Sequence, residues 1–132
     1  MDYRIITVEG NIGSGKTSFA RLLAAEMKAK LILETFADNP FLQKFFVKQH
    51  DYALGMEMFF MAERYEQLNR EMNDQELFNE RYVIDYLFNK SLLYARVNLD
   101  DTEFNLYHKI FNLLNPRMRK SDVVIYLHSD LD

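Results

Sequence analysis

The chain has 132 residues and a formal net charge of −4, and 48% of its residues are hydrophobic. This length predicts one domain with a real core, and the composition is that of a soluble globular protein. The negative charge disfavours binding to nucleic acid polymers, and no apolar run is long enough to span a membrane. Because the sequence has no cysteine and begins without a charged and then apolar leader, we expect a cytoplasmic protein.

Apolar runs of two kinds alternate along the chain. Continuous apolar and β-branched runs predict buried strands at 3–8, 31–33, 82–84 and 123–127. Apolar residues at helical spacing predict helices at 16–29, about 41–48, 54 or 55–72, 87 to about 100, and from a cap at Asp101 or Thr102 to about 114. Every connection between strands is long enough for a helix. The sequence therefore predicts an α/β, three-layer fold with a parallel sheet of four strands flanked by helices.

The segment 10–17 joins the first strand to the first helix and matches the phosphate-loop pattern G-x-x-x-x-G-K-[ST]. Its residues are Gly10, Asn11, Ile12, Gly13, Ser14, Gly15, Lys16 and Thr17. Glycine lets the backbone curl until successive N–H groups point at one anion, so the loop is expected to hold nucleotide phosphates. Lys16 is expected to reach the β- and γ-phosphates, and Thr17 to coordinate Mg²⁺. An ordinary Gly-rich turn does not explain why Lys and Thr follow the last Gly.

Two further predicted strands end on acidic residues, Glu34 and Asp85. Ligands of an open parallel sheet bind at the carboxyl ends of its strands, so both acids are expected to face the same crevice as the loop. Asp85 follows an apolar strand, as carboxylates on the Mg²⁺ side often do in nucleotide enzymes. Glu34 is then available as a general base for an attacking hydroxyl. The alternative for each acid is a solvated strand end or a helix cap.

These residues resemble the deoxynucleoside kinases, especially the bacterial deoxyadenosine/deoxyguanosine type. The resemblance covers nearly all of the chain and is carried by the segment 10–17, Leu33-Glu34 before Phe36 and Pro40, the aromatic and Met-rich helix at 54–72, and Asp85. It implies transfer of the γ-phosphoryl group of ATP to the 5′-hydroxyl of a deoxynucleoside, with Mg²⁺ as cofactor. It also implies that Glu34 is the general base and that Asp85 is the acid of a Glu/Asp-Arg-Ser motif near Mg²⁺. Lys16 of the phosphate loop is the second candidate catalytic residue.

The resemblance also implies a set of residues that bind the acceptor. Glu57 falls where the kinases place a Gln that hydrogen-bonds the nucleobase, and Tyr52 falls near a Tyr that contacts the sugar. Arg64 lies seven residues after Glu57 and so returns to the same helix face. Three aromatic residues are candidates to sandwich a base: Phe36, Phe60 and Phe88. A buried Phe is more often a plain core residue, so only one of the three is expected to contact the base.

The sequence departs from the family at two places. Tyr86 and Leu87 stand where the motif has Arg and Ser, and Lys90 or Arg81 is a candidate to supply the missing charge. In the family, an arginine-bearing lid helix and further elements follow the last strand, so we expect this chain to be the N-terminal portion of such a kinase. The resemblance also implies a homodimer.

Two other functions stay open. One is a nucleotide-binding module without turnover, and the other is a P-loop kinase for a different small acceptor, such as a nucleoside monophosphate. A GTP switch protein is disfavoured, because the triplet Asn89-Lys90-Ser91 lacks an Asp two residues after the Lys.

Overall fold

The structure is a computed structural model that describes residues 3–11, 14–34, 38–72 and 80–128. Its strands are β1 (Ile5–Gly10), β2 (Lys30–Ile32), β3 (Tyr82–Ile84) and β4 (Val123–Leu127). Its helices are α1 (Lys16–Met27), α2 (Leu42–Val47), α3 (Gln49–Glu71), α4 (Lys90–Asn98) and α5 (Asp101–Leu114), with a short 3-10 helix at Asn115–Arg117. The described residues form two compact units, the first within 1–34, 70–87 and 119–132 and the second within 35–69 and 88–118.

The first unit contains a four-stranded sheet in the order β2-β3-β1-β4. All three strand pairs are parallel; in the central pair, for example, Ile6 lies opposite Val83. The expected parallel α/β architecture is therefore confirmed. Because parallel strands share a direction, the chain leaves β1, β2 and β3 at the same edge of the sheet, and this edge carries the loop after β1.

Helix α1 packs on this sheet through small residues. Ala20 and Ala24 are buried against Val8 of β1 and Val83 of β3. Alanine favours the helix and lets its backbone approach the strands closely. The first turn of α1 is thereby fixed at the carboxyl end of β1.

The second unit is helical within its described residues. Helix α3 buries Ala53, Met56, Met61 and Leu68 along one stripe, as an amphipathic helix does. In α5, Phe111 is buried and its ring stacks on Phe88 with 5.0 Å between the centroids. None of the described helices is both long and apolar enough to cross a bilayer.

Several predicted boundaries were wrong. Strand β1 spans Ile5–Gly10 rather than 3–8, β2 spans Lys30–Ile32 rather than 31–33, and α1 ends at Met27 rather than at residue 29. Helix α3 begins at Gln49 rather than at residue 54 or 55, and Asp51 in its first turn favours that start because it complements the helix dipole. Helix α4 begins at Lys90 rather than at Leu87, since a turn comes first. The cap of α5 is Asp100, whose carboxylate accepts the Glu103 N–H. A predicted turn of helix at 75–78 lies outside the described residues, and the single-domain expectation stays a prediction.

Candidate active site

The loop after β1 begins and ends at glycines that its geometry requires. A Cβ at Gly10 would lie 2.7 Å from Ser14 Oγ and 2.8 Å from the Leu127 carbonyl oxygen, so a larger residue does not fit there. Gly15 has a φ of 81° in the left-handed region, which glycine adopts without strain. Ser14 N–H donates to the Asn11 carbonyl at 3.0 Å. The predicted loop residues Ile12 and Gly13 lie outside the described residues.

The amino end of α1 is prepared for an anion. Gly15 provides no side-chain cap, and the first turn contains no acidic residue. The first N–H groups of a helix have no partner within the helix, and the dipole makes this end positive. The Ser14 hydroxyl oxygen is buried and has no hydrogen-bond partner among the described residues. A phosphate group matches this set of donors.

Helix α5 shows what α1 lacks. Its amino end is closed by a capping box, in which Asp100 accepts the Glu103 N–H at 2.8 Å and Glu103 accepts the Asp100 N–H at 3.4 Å. Helices α2 and α4 also lack a side-chain cap and an acidic first turn. The observation that favours a ligand at α1 is therefore the buried Ser14 hydroxyl oxygen beside its amino end.

Lys16 lies beside a carboxylate that the sequence reading did not use. Lys16 Nζ is 3.4 Å from Glu9 Oε1, and the two side chains are 18% and 14% exposed. The other oxygen, Glu9 Oε2, accepts the Leu87 N–H at 3.3 Å. Glu9 thus connects the lysine of the loop with the segment that follows β3.

Glu34 and Asp85 are joined by a hydrogen bond at the carboxyl ends of β2 and β3. The Glu34 N–H donates to Asp85 Oδ1 at 2.6 Å, and Asp85 is only 5% exposed. The predicted acids therefore lie next to each other in the first unit. One oxygen of Asp85 fixes the backbone of Glu34, a role that the sequence did not indicate.

The residues predicted to bind Mg²⁺ have suitable chemistry. A hydroxyl and a carboxylate, such as those of Thr17 and Asp85, are the hard oxygen donors that Mg²⁺ prefers, and the ion commonly keeps several waters and substrate phosphates as further ligands. Thr17 is exposed in the first turn of α1. Among the described residues, no group of three His, Cys, Asp or Glu side chains forms a cage for a metal. The donor set thus fits an ion that arrives with a triphosphate.

In the second unit, α3 and α4 exchange two polar contacts. Asn98 Nδ2 donates to Glu57 Oε2 at 3.2 Å, and Arg64 Nη1 donates to Ser91 Oγ at 3.0 Å. Each helix contributes two of these residues, seven positions apart. The order of the contacts reverses between the two helices, so these segments are antiparallel. Glu57 and Arg64 are buried, with exposures of 3% and 6%. The predicted convergence of these two side chains on one face is therefore present.

Burial controls the protonation of this polar cluster. Desolvation raises the pKa of Glu57, and the Asn98 hydrogen bond and the nearby Arg64 charge oppose the shift only in part. Desolvation also raises the pKa of the neighbouring Tyr107 to about 12. Tyr107 is therefore neutral at physiological pH.

The aromatic candidates differ in their surroundings. Phe60 and Tyr94 flank the Arg64 guanidinium, whose carbon lies 5.5 Å and 5.7 Å from the two ring centroids. Phe88 is 6% exposed and stacks on Phe111, the packing of a core residue. Lys44 Nζ lies 5.6 Å from the ring centroid of the half-buried Tyr52. Phe36 lies outside the described residues, and all of these substrate assignments stay predictions.

The structure also places the residues considered as substitutes for the missing arginine. Tyr86 is buried, with 1% exposure. Arg81 precedes β3, and its carbonyl accepts the Lys30 N–H at the amino end of the strand, away from the edge that carries Asp85. Lys90 begins α4, where its ammonium lies 5.6 Å from the Tyr94 ring centroid.

Sequence reasoning missed three polar residues. Glu9 is the single acid in β1, and a charge in a buried strand was a usable signal. Ser91 and Asn98 repeat the seven-residue spacing of Glu57 and Arg64. Nothing in the sequence indicated which helix they face.

Comparisons with known proteins identify the family. The deoxynucleoside kinase family profile matches residues 6–132. The chain is 35% identical over 127 residues to a deoxyguanosine kinase of Bacillus subtilis, covering 96% of this chain and 61% of the relative. It is 27% identical to a deoxyadenosine/deoxycytidine kinase of the same organism, with 97% and 61% covered.

Solved structures show the same fold. The structure of deoxyadenosine kinase from M. mycoides superposes with a TM-score of 0.74 at 21% identity, covering 96% of this chain and 65% of that one. The chain spans about 61% of the length of the B. subtilis kinases that it matches. With residues 6–132 matched to one family, the chain belongs to the deoxynucleoside kinases.

Proposed function

We propose that this chain is the phosphate-binding and catalytic part of an ATP-dependent deoxynucleoside kinase. The reaction transfers the γ-phosphoryl group of ATP to the 5′-hydroxyl of a deoxynucleoside and yields the deoxynucleoside monophosphate and ADP. The observation that carries the proposal is the hydrogen bond from the Glu34 N–H to Asp85 at 2.6 Å. It holds a carboxylate residue at the same sheet edge as the phosphate loop.

The first unit supplies the groups that bind the triphosphate. The first N–H groups of α1 and the Ser14 hydroxyl donate to phosphate oxygens, and Lys16 adds a positive charge at the β- and γ-phosphates. Thr17 and the second oxygen of Asp85 would hold Mg²⁺. The ion would neutralise charge on the β- and γ-phosphates.

Glu34 is proposed to accept the proton of the attacking hydroxyl. As the 5′-oxygen forms its bond to the γ-phosphorus, the bond from that phosphorus to the β–γ bridging oxygen breaks, and ADP leaves with its electron pair. The hydroxyl proton goes to the Glu34 carboxylate. Because Asp85 fixes the Glu34 backbone, little freedom is lost when the acceptor arrives.

The second unit is proposed to recognise the acceptor. An ionised Glu57 offers only acceptor oxygens, and one of them already receives a hydrogen bond from Asn98. The Watson–Crick edge of guanine presents two adjacent N–H donors beside one acceptor oxygen, whereas that of adenine presents one N–H donor and one acceptor nitrogen. Glu57 therefore favours deoxyguanosine, and the name of the relative at 35% identity agrees. Tyr52 is proposed to contact the sugar, and Arg64 to hold Glu57 in its ionised form.

Product analysis tests the proposal. The chain is incubated with ATP, Mg²⁺ and each deoxynucleoside in turn, and nucleotides are separated by chromatography. Deoxynucleoside monophosphate, with deoxyguanosine the best acceptor, is the expected result. Diphosphate formed only from added nucleoside monophosphates would replace the proposal with a different small-molecule kinase.

ATP binding without any product would favour a nucleotide-binding module. The same preparation tests the proposed homodimer by sedimentation velocity, where the mass of one chain would contradict it.

A further inference from the structure

Glu9 occupies a position that no substrate-binding role explains. It lies near the end of β1, one residue before Gly10, and its side chain is 14% exposed. One carboxylate oxygen faces the Lys16 ammonium at 3.4 Å, and the other accepts the Leu87 N–H at 3.3 Å. Both contacts lie within the first unit, so one side chain connects the lysine of the loop with the segment after Asp85.

A carboxylate at this position affects an incoming anion in two opposite ways. It holds Lys16 near the loop, which reduces the freedom that the long side chain would lose on binding. It also competes with phosphate for the same ammonium and repels the negative charge of a triphosphate. A divalent cation bound to the triphosphate offsets this repulsion, since a metal-free triphosphate carries two more negative charges than its Mg²⁺ complex.

We propose that Glu9 is a positioning residue that orients Lys16 and makes triphosphate binding depend on a divalent cation. The inference deepens the proposed function, because it rests on Lys16 binding the phosphates. Without the Glu9 carboxylate, metal-free ATP would bind Lys16 without competition. With Glu9 present, the metal complex is selected over the free nucleotide.

Glu9→Gln separates the two roles. The amide oxygen still accepts the Leu87 N–H, whereas the charge beside Lys16 is removed. A sheltered ion pair of this length is worth a modest free energy, so we expect metal-free ATP to bind roughly three- to tenfold more tightly. Binding of ATP with Mg²⁺ should be unchanged or slightly weaker, because the lysine is held less firmly.

The measurement is isothermal titration calorimetry of the chain with ATP, once with excess Mg²⁺ and once with a chelator. Glu26→Gln, at an exposed position of α1, is the matched control for net charge, and Glu9→Asp keeps the charge. Glu26→Gln should retain the parent ratio of the two dissociation constants, whereas Glu9→Asp should lower it partway toward one, because its shorter side chain moves the carboxylate away from Lys16. The inference would be overturned if Glu9→Gln had the same ratio of the two dissociation constants as the parent. Equal weakening of ATP binding with and without Mg²⁺ would have the same meaning.

The outcomes distinguish this inference from the proposed function. If the parent chain binds ATP under neither condition, the phosphate-loop assignment itself fails. If Glu9→Gln does not fold, as judged by circular dichroism, Glu9→Asp becomes the deciding variant. Its shorter side chain moves the carboxylate away from Lys16. A ratio of the metal-free to the Mg²⁺ dissociation constant that falls partway toward one supports the inference, whereas the full parent ratio contradicts it.

Discussion

Replacement of Lys16 by Ala measures how much the phosphate loop depends on its lysine. A hydrogen bond to a charged group contributes about 1.5 to 3 kcal/mol. Lys16 must first give up its ion pair with Glu9, whose carboxylate oxygen lies 3.4 Å away. Losing a partly sheltered pair of this kind costs roughly 0.2 to 1 kcal/mol, which offsets part of the gain from the phosphate contact. The net loss is about 1 to 2 kcal/mol, which corresponds to a dissociation constant for ATP with Mg²⁺ weakened roughly 5- to 30-fold.

Calorimetry or the quenching of a fluorescent ATP analogue reports this change. Arg21→Ala is the matched control, because Arg21 is exposed on the same helix and its loss changes the net charge equally. The control should bind ATP within a factor of about two of the parent, since surface charges contribute little. Equal affinities of the Lys16→Ala variant and the parent would refute the reasoning.

Three further variants test the acidic residues. If Asp85 is on the metal side, Asp85→Asn should raise the Mg²⁺ concentration at half-maximal ATP binding by about tenfold or more, whereas Glu34→Gln should leave it nearly unchanged; equal shifts would show that the two roles are assigned wrongly. Burial raises the pKa of Glu57, so the Glu57 carboxyl binds its proton more tightly in the folded chain than in the unfolded chain. The parent therefore gains stability as the pH falls through the folded-state pKa of Glu57. Glu57→Gln should therefore raise the melting temperature at pH 7 and raise it less near pH 4, and it should weaken the preference for deoxyguanosine over deoxyadenosine. A gain in melting temperature that is the same at both pH values would exclude burial as the cause.

Local patterns account for the parts of the fold that were predicted well. The strand, the glycines and the Lys-Thr pair around Gly10–Thr17 follow one another in sequence, so composition and spacing suffice to place them. The start of α3 was missed because Gln49, His50 and Asp51 are polar and exposed, and a helix turn without an apolar stripe gives no periodic signal. Tertiary context, which a single sequence does not display, sets that boundary.

Contacts between distant residues account for what the sequence could not predict in the site. Glu9 and Leu87 are 78 residues apart, and Glu34 and Asp85 are 51 apart. Both contacts depend on the order β2-β3-β1, in which the second and third strands in sequence lie side by side and β3 also neighbours β1. The alternation of strands and helices predicts a parallel sheet, but it does not fix this order. The carboxylates were therefore predicted at the correct edge without their hydrogen bonds.

The rate of the Glu34→Gln variant tests the proposed mechanism most directly. Single-turnover formation of deoxyguanosine monophosphate is measured with the chain in excess over deoxyguanosine and with saturating ATP and Mg²⁺, for the parent, for Glu34→Gln and for the exposed control Glu26→Gln. We predict that only Glu34→Gln slows, by about 10²- to 10⁴-fold, because a general base typically contributes that factor. Deoxyguanosine affinity should change little, since the amide keeps the shape of the side chain. Product formation by Glu34→Gln at the parent rate would contradict the assignment of Glu34 as the base.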